Sequence, residues 1–232
     1  MALNRAKVIE KKKLTEDVYE LNLERLDSFD FEAGQYISVK INDEIATPCM
    51  RAYSISSPPS NSNFSLCIKV TEGGRGSNWL KSLEKNDEIE FLGPMGNFTF
   101  KNVSKNAFFI ATGTGVAPFC SIIEEELKKG FLGKISLLFG LRHINGIFYK
   151  EFFEKLETEY SNFDFNMILS RPEDENYEGN VGRVTDFLKT ADLDTKNTDF
   201  YLCGLSPMIN EVSALLAEKG VGISQIHFEK YD

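Results

Sequence analysis

From residue 18 to residue 92 the chain alternates apolar and polar side chains in short runs. Val18-Tyr19-Glu20-Leu21-Asn22-Leu23, Tyr36-Ile37-Ser38-Val39-Lys40-Ile41, Phe64 to Val70 and Glu88-Ile89-Glu90-Phe91-Leu92 all do this. A period of two puts every second side chain on one face, the signature of a half-buried strand. Polar, Gly or Pro stretches punctuate the runs. Several short strands at this spacing predict a small antiparallel barrel or sandwich. One short helix is predicted here, with Ser77 as N-cap before Asn78 to Leu83.

Near residue 103 the pattern changes. Ala107-Phe108-Phe109-Ile110-Ala111 is continuously apolar, as in a strand covered on both faces. A Gly-rich turn follows, then a helix over 118–129 opened by Pro118, whose missing N–H costs little in a first turn. Strands at 135–140, 163–169, 200–203 and 225–228 then alternate with helices at 150–159, 184–188 and 207–219. Such alternation predicts a doubly wound parallel sheet. The expected organisation is a two-domain chain: an antiparallel β-barrel over 1–102 and an α/β domain over 103–232.

Composition excludes several classes. With 26 Lys+Arg against 35 Asp+Glu, the net charge of −9 disfavours nucleic acid, whose phosphates need clustered cations. No apolar run reaches the roughly 18–20 residues of a membrane span. The N-terminal MALNRAKVIEKKK has no apolar segment of a secretory signal, so a cytoplasmic location and a monomer are expected. Cys49, Cys67, Cys120 and Cys203 lack zinc or iron–sulfur spacing and are expected as reduced thiols. With His143 and His227 the only histidines, no metal site is expected.

Four strings carry candidate chemistry. In Arg51-Ala52-Tyr53-Ser54, Arg51 supplies a fixed cation for a phosphate. Tyr53 shares its strand face and offers a flat ring for stacking on an aromatic cofactor. Ser54 adds a small hydroxyl. Gly73-Gly74-Arg75-Gly76-Ser77 runs into the short helix, where free backbone amides favour an anion. Thr112-Gly113-Thr114-Gly115-Val116-Ala117-Pro118 joins a buried strand to a helix, the context for a dinucleotide pyrophosphate. It lacks the third glycine of G-x-G-x-x-G. Cys203-Gly204-Leu205-Ser206-Pro207 repeats the strand–Gly–helix arrangement.

Together these strings resemble the ferredoxin–NADP reductase superfamily, in its bacterial, stand-alone two-domain form. RAYS at 51–54 is similar to its flavin-binding R-x-Y-S. GRGS at 74–77 is similar to its pyrophosphate loop, and GTGVAPF at 113–119 and YLCG at 201–204 to its nucleotide motifs. The resemblance implies FAD between the domains, its phosphates held by Arg51, with Tyr53 against the flavin and Ser54 near N5. It implies Ala52, Cys67, Ile68, Lys69, Arg75, Gly76 and Ser77 around the cofactor. Thr112, Gly113 and Thr114 would sit between flavin and nicotinamide, Cys203 and Glu229 would face the hydride-transfer centre, and Gly204 would bind the cofactor. The tail Phe228-Glu229-Lys230-Tyr231-Asp232 is similar to the family's E-x-Y-W, so Tyr231 would cover the flavin, and Asp232 replaces the Trp.

Nucleotide choice turns on charge. An acid after the second nucleotide-domain strand binds a ribose 2′-OH in NAD sites. Here stand Arg142, then Ser170-Arg171, then Arg183. Together they suit a 2′-phosphate and also resemble the family's NADP-binding arginines. Against them stand Glu173, Asp174 and Glu175, which either repel a phosphate or are merely solvated; the arginines favour NADP and NAD stays open. The favoured activity is FAD-dependent electron transfer between NADPH and a small redox carrier, ferredoxin or flavodoxin. An NADH-dependent oxygenase component, a free-flavin reductase and a nucleotide-binding interaction subunit are the alternatives. Lys7 and Lys11-Lys12-Lys13 form the one local basic string that could steer an acidic carrier.

Overall fold

A computed structural model of the chain describes residues 3–102, 105–174 and 176–231. Packing separates two units, 1–100 with 117–125, and 101–116 with 126–232.

The first unit holds six antiparallel strands: β1 (Asn4–Lys13), β2 (Val18–Glu24), β3 (Tyr36–Ile41), β4 (Cys49–Ser54), β5 (Asn63–Lys69) and β6 (Glu88–Met95). Their order is β4-β3-β6-β1-β2-β5. A bridge between Ile55 and Leu66 joins the chain beyond β4 to β5, so the two edges meet and the sheet closes as a barrel. The alternating apolar residues fill its interior. Leu21, Leu23, Ile37, Val39, Ile41, Phe64, Leu66 and Phe91 are all fully buried. Phe29 plugs this core, its ring 5.0 Å from Phe64 and 5.2 Å from Phe91.

Helix α1 spans Arg75–Ser82 with Gly74 as N-cap. It begins before the position predicted for it. Ser77 lies inside the helix, where its hydroxyl donates to the Gly74 carbonyl at 3.2 Å and accepts from the Thr71 N–H at 3.3 Å. The glycines at 73 and 74 allow the earlier start, because Gly73 takes φ +70°.

The second unit holds β7 (Asn106–Thr112), β8 (Ile135–Leu141), β9 (Phe163–Leu169), the two-residue β10 (Asn180–Val181), β11 (Thr198–Gly204) and β12 (Ile226–Lys230). All pairings are parallel, in the order β10-β9-β8-β7-β11-β12. Helices α2 (Ala117–Lys128), α3 (Lys150–Glu159), α4 (Val184–Thr190) and α5 (Ser206–Glu218) connect them. β11 is buried along its whole length, as its apolar run requires. Pro207 stands in the first turn of α5, and Gly220 at φ +87° follows its end.

One feature departs from a single cut near residue 102. Residues 117–125 of α2 pack with the barrel. The Ser121 hydroxyl donates to the Ser57 carbonyl at 2.7 Å, Glu125 accepts the Ser60 N–H at 3.2 Å, and Phe119 lies 5.8 Å from Phe98. Apolar periodicity shows that a helix has a buried face, and not which unit covers it.

Among the described residues the four cysteines are free and no cluster of His, Cys, Asp or Glu is arranged for a metal. No helix is long and apolar enough to cross a membrane.

Candidate functional site

The barrel unit carries one group of predicted residues. Register pairs Ile37 with Tyr53 and Val39 with Arg51, so Arg51 and Tyr53 share a face of β4. Ala52 points the other way, and Ser54 is buried at the strand end. Helix α1 starts directly against that face. A Cβ added to Gly76 would lie 3.1 Å from the Arg51 side chain and 3.1 Å from the Tyr53 hydroxyl. Burial holds the Tyr53 phenol up at about 12, so it stays neutral. Gly74 caps α1 without a side-chain bond, and no acid stands in the first turn. Those helix-start amides, the macrodipole and the Arg51 guanidinium together suit a phosphate, while Tyr53 supplies the flat apolar surface.

Two residues of this group are used differently from the sequence expectation. Arg75 closes on Asp43 with two contacts of 2.6 Å and also donates to the carbonyls of Ala46 and Thr47 at 2.7 and 2.9 Å. Its guanidinium braces the 43–49 loop and is not left for a phosphate. The Ser77 hydroxyl is engaged within its own turn, leaving its backbone N–H. Along β5, Cys67 is buried, and the Ile68 side chain belongs to the barrel core, so Ile68 could meet a ligand only through its backbone. Lys69 is exposed and pairs with Asp17 at 3.3 Å.

Two of the four lysines of the basic string on β1 are engaged. Lys11 donates to the carbonyls of Lys81 and Leu83 and to Glu84 at 2.7 Å, and Lys13 pairs with Glu16. Lys7 and Lys12 are exposed, so the local exception to the acidic charge is reduced to about half.

The second unit carries the other group, at the carboxyl ends of its strands, where open α/β sheets bind ligands. Thr112 ends β7, Gly113 turns the chain at φ +55°, and residues 113–116 form a 3₁₀ turn leading into α2. Thr114 is half-buried on that turn. A Cβ on Gly115 would meet the Cys203 carbonyl, and one on Gly204, at φ +155°, would meet the Thr112 hydroxyl at 2.5 Å. The ends of β7 and β11 thus touch through glycine. Sequence reasoning used Gly115 only as part of the motif and missed its contact; the G-T-G spacing was the available signal.

Parallel register sets Glu229 beside Cys203. The Tyr231 N–H donates to the Gly204 carbonyl at 2.9 Å, extending β12, and its side chain hydrogen-bonds Cys203. Burial first, and then the Glu229 charge, pushes the Cys203 thiol well above its usual range, so it stands protonated. Asp232 and Glu175 lie outside the described residues.

Arg142, Ser170, Arg171 and Arg183 also meet at these strand ends. The Arg171 N–H donates to the Arg142 carbonyl at 2.8 Å, Ser170 N–H to Leu141 at 3.0 Å, and Gly182 N–H to Leu169 at 2.9 Å. Arg183 caps α4, where Asp186 accepts its N–H at 3.0 Å. All three arginines are exposed, and among the described residues none is in an ion pair. Glu173 reaches the same region, 3.3 Å from His143 Nδ1, at a left-handed φ of +60°.

Comparison with known proteins bears on both groups. Residues 5–100 match the oxidoreductase FAD-binding domain, and residues 109–214 the oxidoreductase NAD-binding domain. The chain is 33% identical over 241 residues to ferredoxin–NADP reductase B of Sorangium cellulosum, covering 98% of this chain and 97% of that protein. It is 29% identical over 207 residues to the toluate 1,2-dioxygenase electron transfer component of Pseudomonas putida, covering 89% of this chain and spanning 60% of that relative's length. A ferredoxin NADP⁺ reductase from Neisseria gonorrhoeae, solved with bound FAD and NADP, superimposes with a TM-score of 0.88 at 21% identity, covering 99% of each chain. That likeness is one of fold.

Proposed function

The chain belongs to the ferredoxin–NADP reductase family of two-domain, FAD- and NAD(P)-binding oxidoreductases, and on that premise we propose that it passes electrons between NADPH and a small one-electron carrier, a ferredoxin or flavodoxin. The observation that carries the nucleotide choice is the convergence of Arg142, Arg171 and Arg183 with Ser170 at adjacent strand ends. Three exposed arginines, none of them in an ion pair among the described residues, suit a 2′-phosphate better than a ribose hydroxyl. The carrier class is supported by a relative matched over 97% of its length that is a ferredoxin–NADP reductase.

Bound flavin supplies the chemistry that takes two electrons as hydride and releases them singly. The chain's residues do the rest. Arg51 and the first amides of α1 bind phosphate. Tyr53 provides the stacking surface, and the Ser54 hydroxyl a hydrogen bond. Thr112 to Thr114 and Gly204 shape the turn that takes the dinucleotide. Cys203, held as a neutral thiol, packs without reacting, and Glu229 places a carboxylate beside it. Tyr231 covers the thiol end of the site and would have to yield to nicotinamide.

A second reading is an NADH-dependent reductase component of an oxygenase. Glu173, an acid among the arginines, and the Pseudomonas relative favour it. Steady-state reduction of ferredoxin and flavodoxin with NADPH and NADH side by side separates the two. A clear preference for NADH, with neither carrier reduced, would replace the first reading by the second. Heat release of the flavin checks the cofactor: FAD is expected, and recovery of FMN alone would contradict a pyrophosphate site at α1.

A further inference from the structure

The sheet face that carries Cys203 holds a second cluster, outside the site just described. Register sets Phe109, Tyr201 and His227 side by side on β7, β11 and β12. Their rings form a row of three. Phe109 and Tyr201 lie 5.0 Å apart at 24°, and Tyr201 and His227 4.8 Å apart at 28°. Tyr201 is fully buried and its hydroxyl accepts the Lys101 N–H at 3.0 Å. Two residues back on the same face, Asp199 is 5% exposed. One of its oxygens is 3.1 Å from Lys105 Nζ and the other 3.7 Å from His227 Nε2. Among the described residues that buried nitrogen has no hydrogen-bond partner.

The strand that bears His227 needs an anchor. β12 is five residues long, stands at the sheet edge and, among the described residues, pairs with β11 alone. Edge strands this short are weakly held by their backbone bonds. His227, Glu229 and Tyr231 follow at a period of two and so share a face. Whatever fixes the first fixes the height at which the next two meet Cys203.

We propose that His227 is a positioning residue, which stacks on Tyr201 and thereby holds Glu229 and Tyr231 against Cys203. The inference rests on the assignment of Cys203 and Glu229 to the reacting end of the site. It concerns position and not hydride transfer itself: His227 touches neither nucleotide nor flavin in this assignment. The arginines of β8, β9 and α4 lie elsewhere on the sheet and keep their grip whatever β12 does.

The test uses the flavin-loaded protein with His227→Ala, His227→Phe and Glu229→Gln. Amide exchange followed by mass spectrometry reads the strand directly, and kinetics read the consequence. In His227→Ala, exchange over 226–231 should quicken by about tenfold while β7 and β11 stay protected. Its kcat should fall by about tenfold with KM for NADPH moving less than about threefold, because the phosphate grip is intact. His227→Phe keeps the stack and should restore protection and kcat to within about threefold of the parent. Unchanged exchange and kcat in His227→Ala, with Glu229→Gln impaired, would overturn the positioning role alone. So would loss of protection throughout β7 and β11, since the ring would then be ordinary core. Full turnover in Glu229→Gln would instead overturn the site assignment beneath the proposal.

Discussion

An added Cβ on Gly115 would stand 2.4 Å from the carbonyl oxygen of Cys203. Backbone meets backbone there, so no side-chain rotation can relieve the clash. Gly115→Ala must push the turn away from β11, at a cost of about 1–3 kcal/mol of stability, as for overpacked cores. Gly113→Ala, at φ +55° but facing open space, should cost only about 1–2 kcal/mol of backbone strain. We expect Gly115→Ala to weaken binding of 2′,5′-ADP far more than Gly113→Ala. Thermal melting and calorimetric titration measure the two quantities. Equal, undiminished affinities would remove this turn from the nucleotide site.

The Asp43–Arg75 pair gives the barrel unit a pH response. The Arg75 hydrogen bonds hold the Asp43 carboxyl down to about 2, against an ordinary 3.8. A carboxyl depressed on folding contributes stability above its ordinary value and loses it as pH falls toward the folded one. The 43–49 loop should therefore loosen on acidification between about pH 4 and about pH 2. Trp79, the only tryptophan, lines a cleft of about 510 Å³ with Asp43, Ile45 and Arg75. Its emission should report the change, and Asp43→Asn should abolish that acid step while showing a loosened loop already at neutral pH. An identical acid step in Asp43→Asn would place the transition elsewhere.

Flavin retention should depend on Arg51 and not on Lys12. Arg51 stands over the start of α1, whereas Lys12 is an exposed side chain on β1. Loss of a charge-assisted phosphate contact should cost about 1.5–3 kcal/mol, about tenfold or more in affinity. Flavin content after dialysis, read by absorbance, compares Arg51→Ala with Lys12→Ala. Equal occupancy would contradict the phosphate role.

Tyr231 should act as a competitor for its own pocket. Its side chain bonds Cys203 and its backbone prolongs β12. Tyr231→Ser should bind NADP⁺ more tightly, discriminate less against NAD⁺ and turn over more slowly where release limits the rate. Arg171→Ala should weaken NADPH selectively in either background, because it lies at the end of another strand. Absorbance titrations with NADP⁺ and NAD⁺ give all the affinities. Identical values for the parent and Tyr231→Ser would show that the ring obstructs nothing.

The alternation of Ile37, Val39 and Ile41, and of Phe64, Leu66 and Ile68, marks barrel strands in the sequence itself, because a period of two is a local property. The apolar run at 107–111 and the helices that follow it were legible for the same reason. The order of Arg51, Gly74, Gly113 and Cys203 along the chain pointed to the family, since each glycine or cation sits in a recognisable local context. Other features depend on partners remote in sequence. Arg75 looked like a residue facing the cofactor, but Asp43, thirty-two positions earlier, takes its guanidinium. Ser77 looked like a helix cap until Thr71 and Gly74 engaged its hydroxyl. Lys11 looked like a steering charge until Glu84 and two carbonyls held it. His227 looked unremarkable until strand register laid it on Tyr201. Composition and periodicity are written residue by residue, so most elements, the two kinds of sheet and the cofactor family were legible in the chain, while β1, the two-residue β10 and the start of α1 were not. A side chain's use is decided by whichever group reaches it first in three dimensions, and only the tertiary structure brings those groups together.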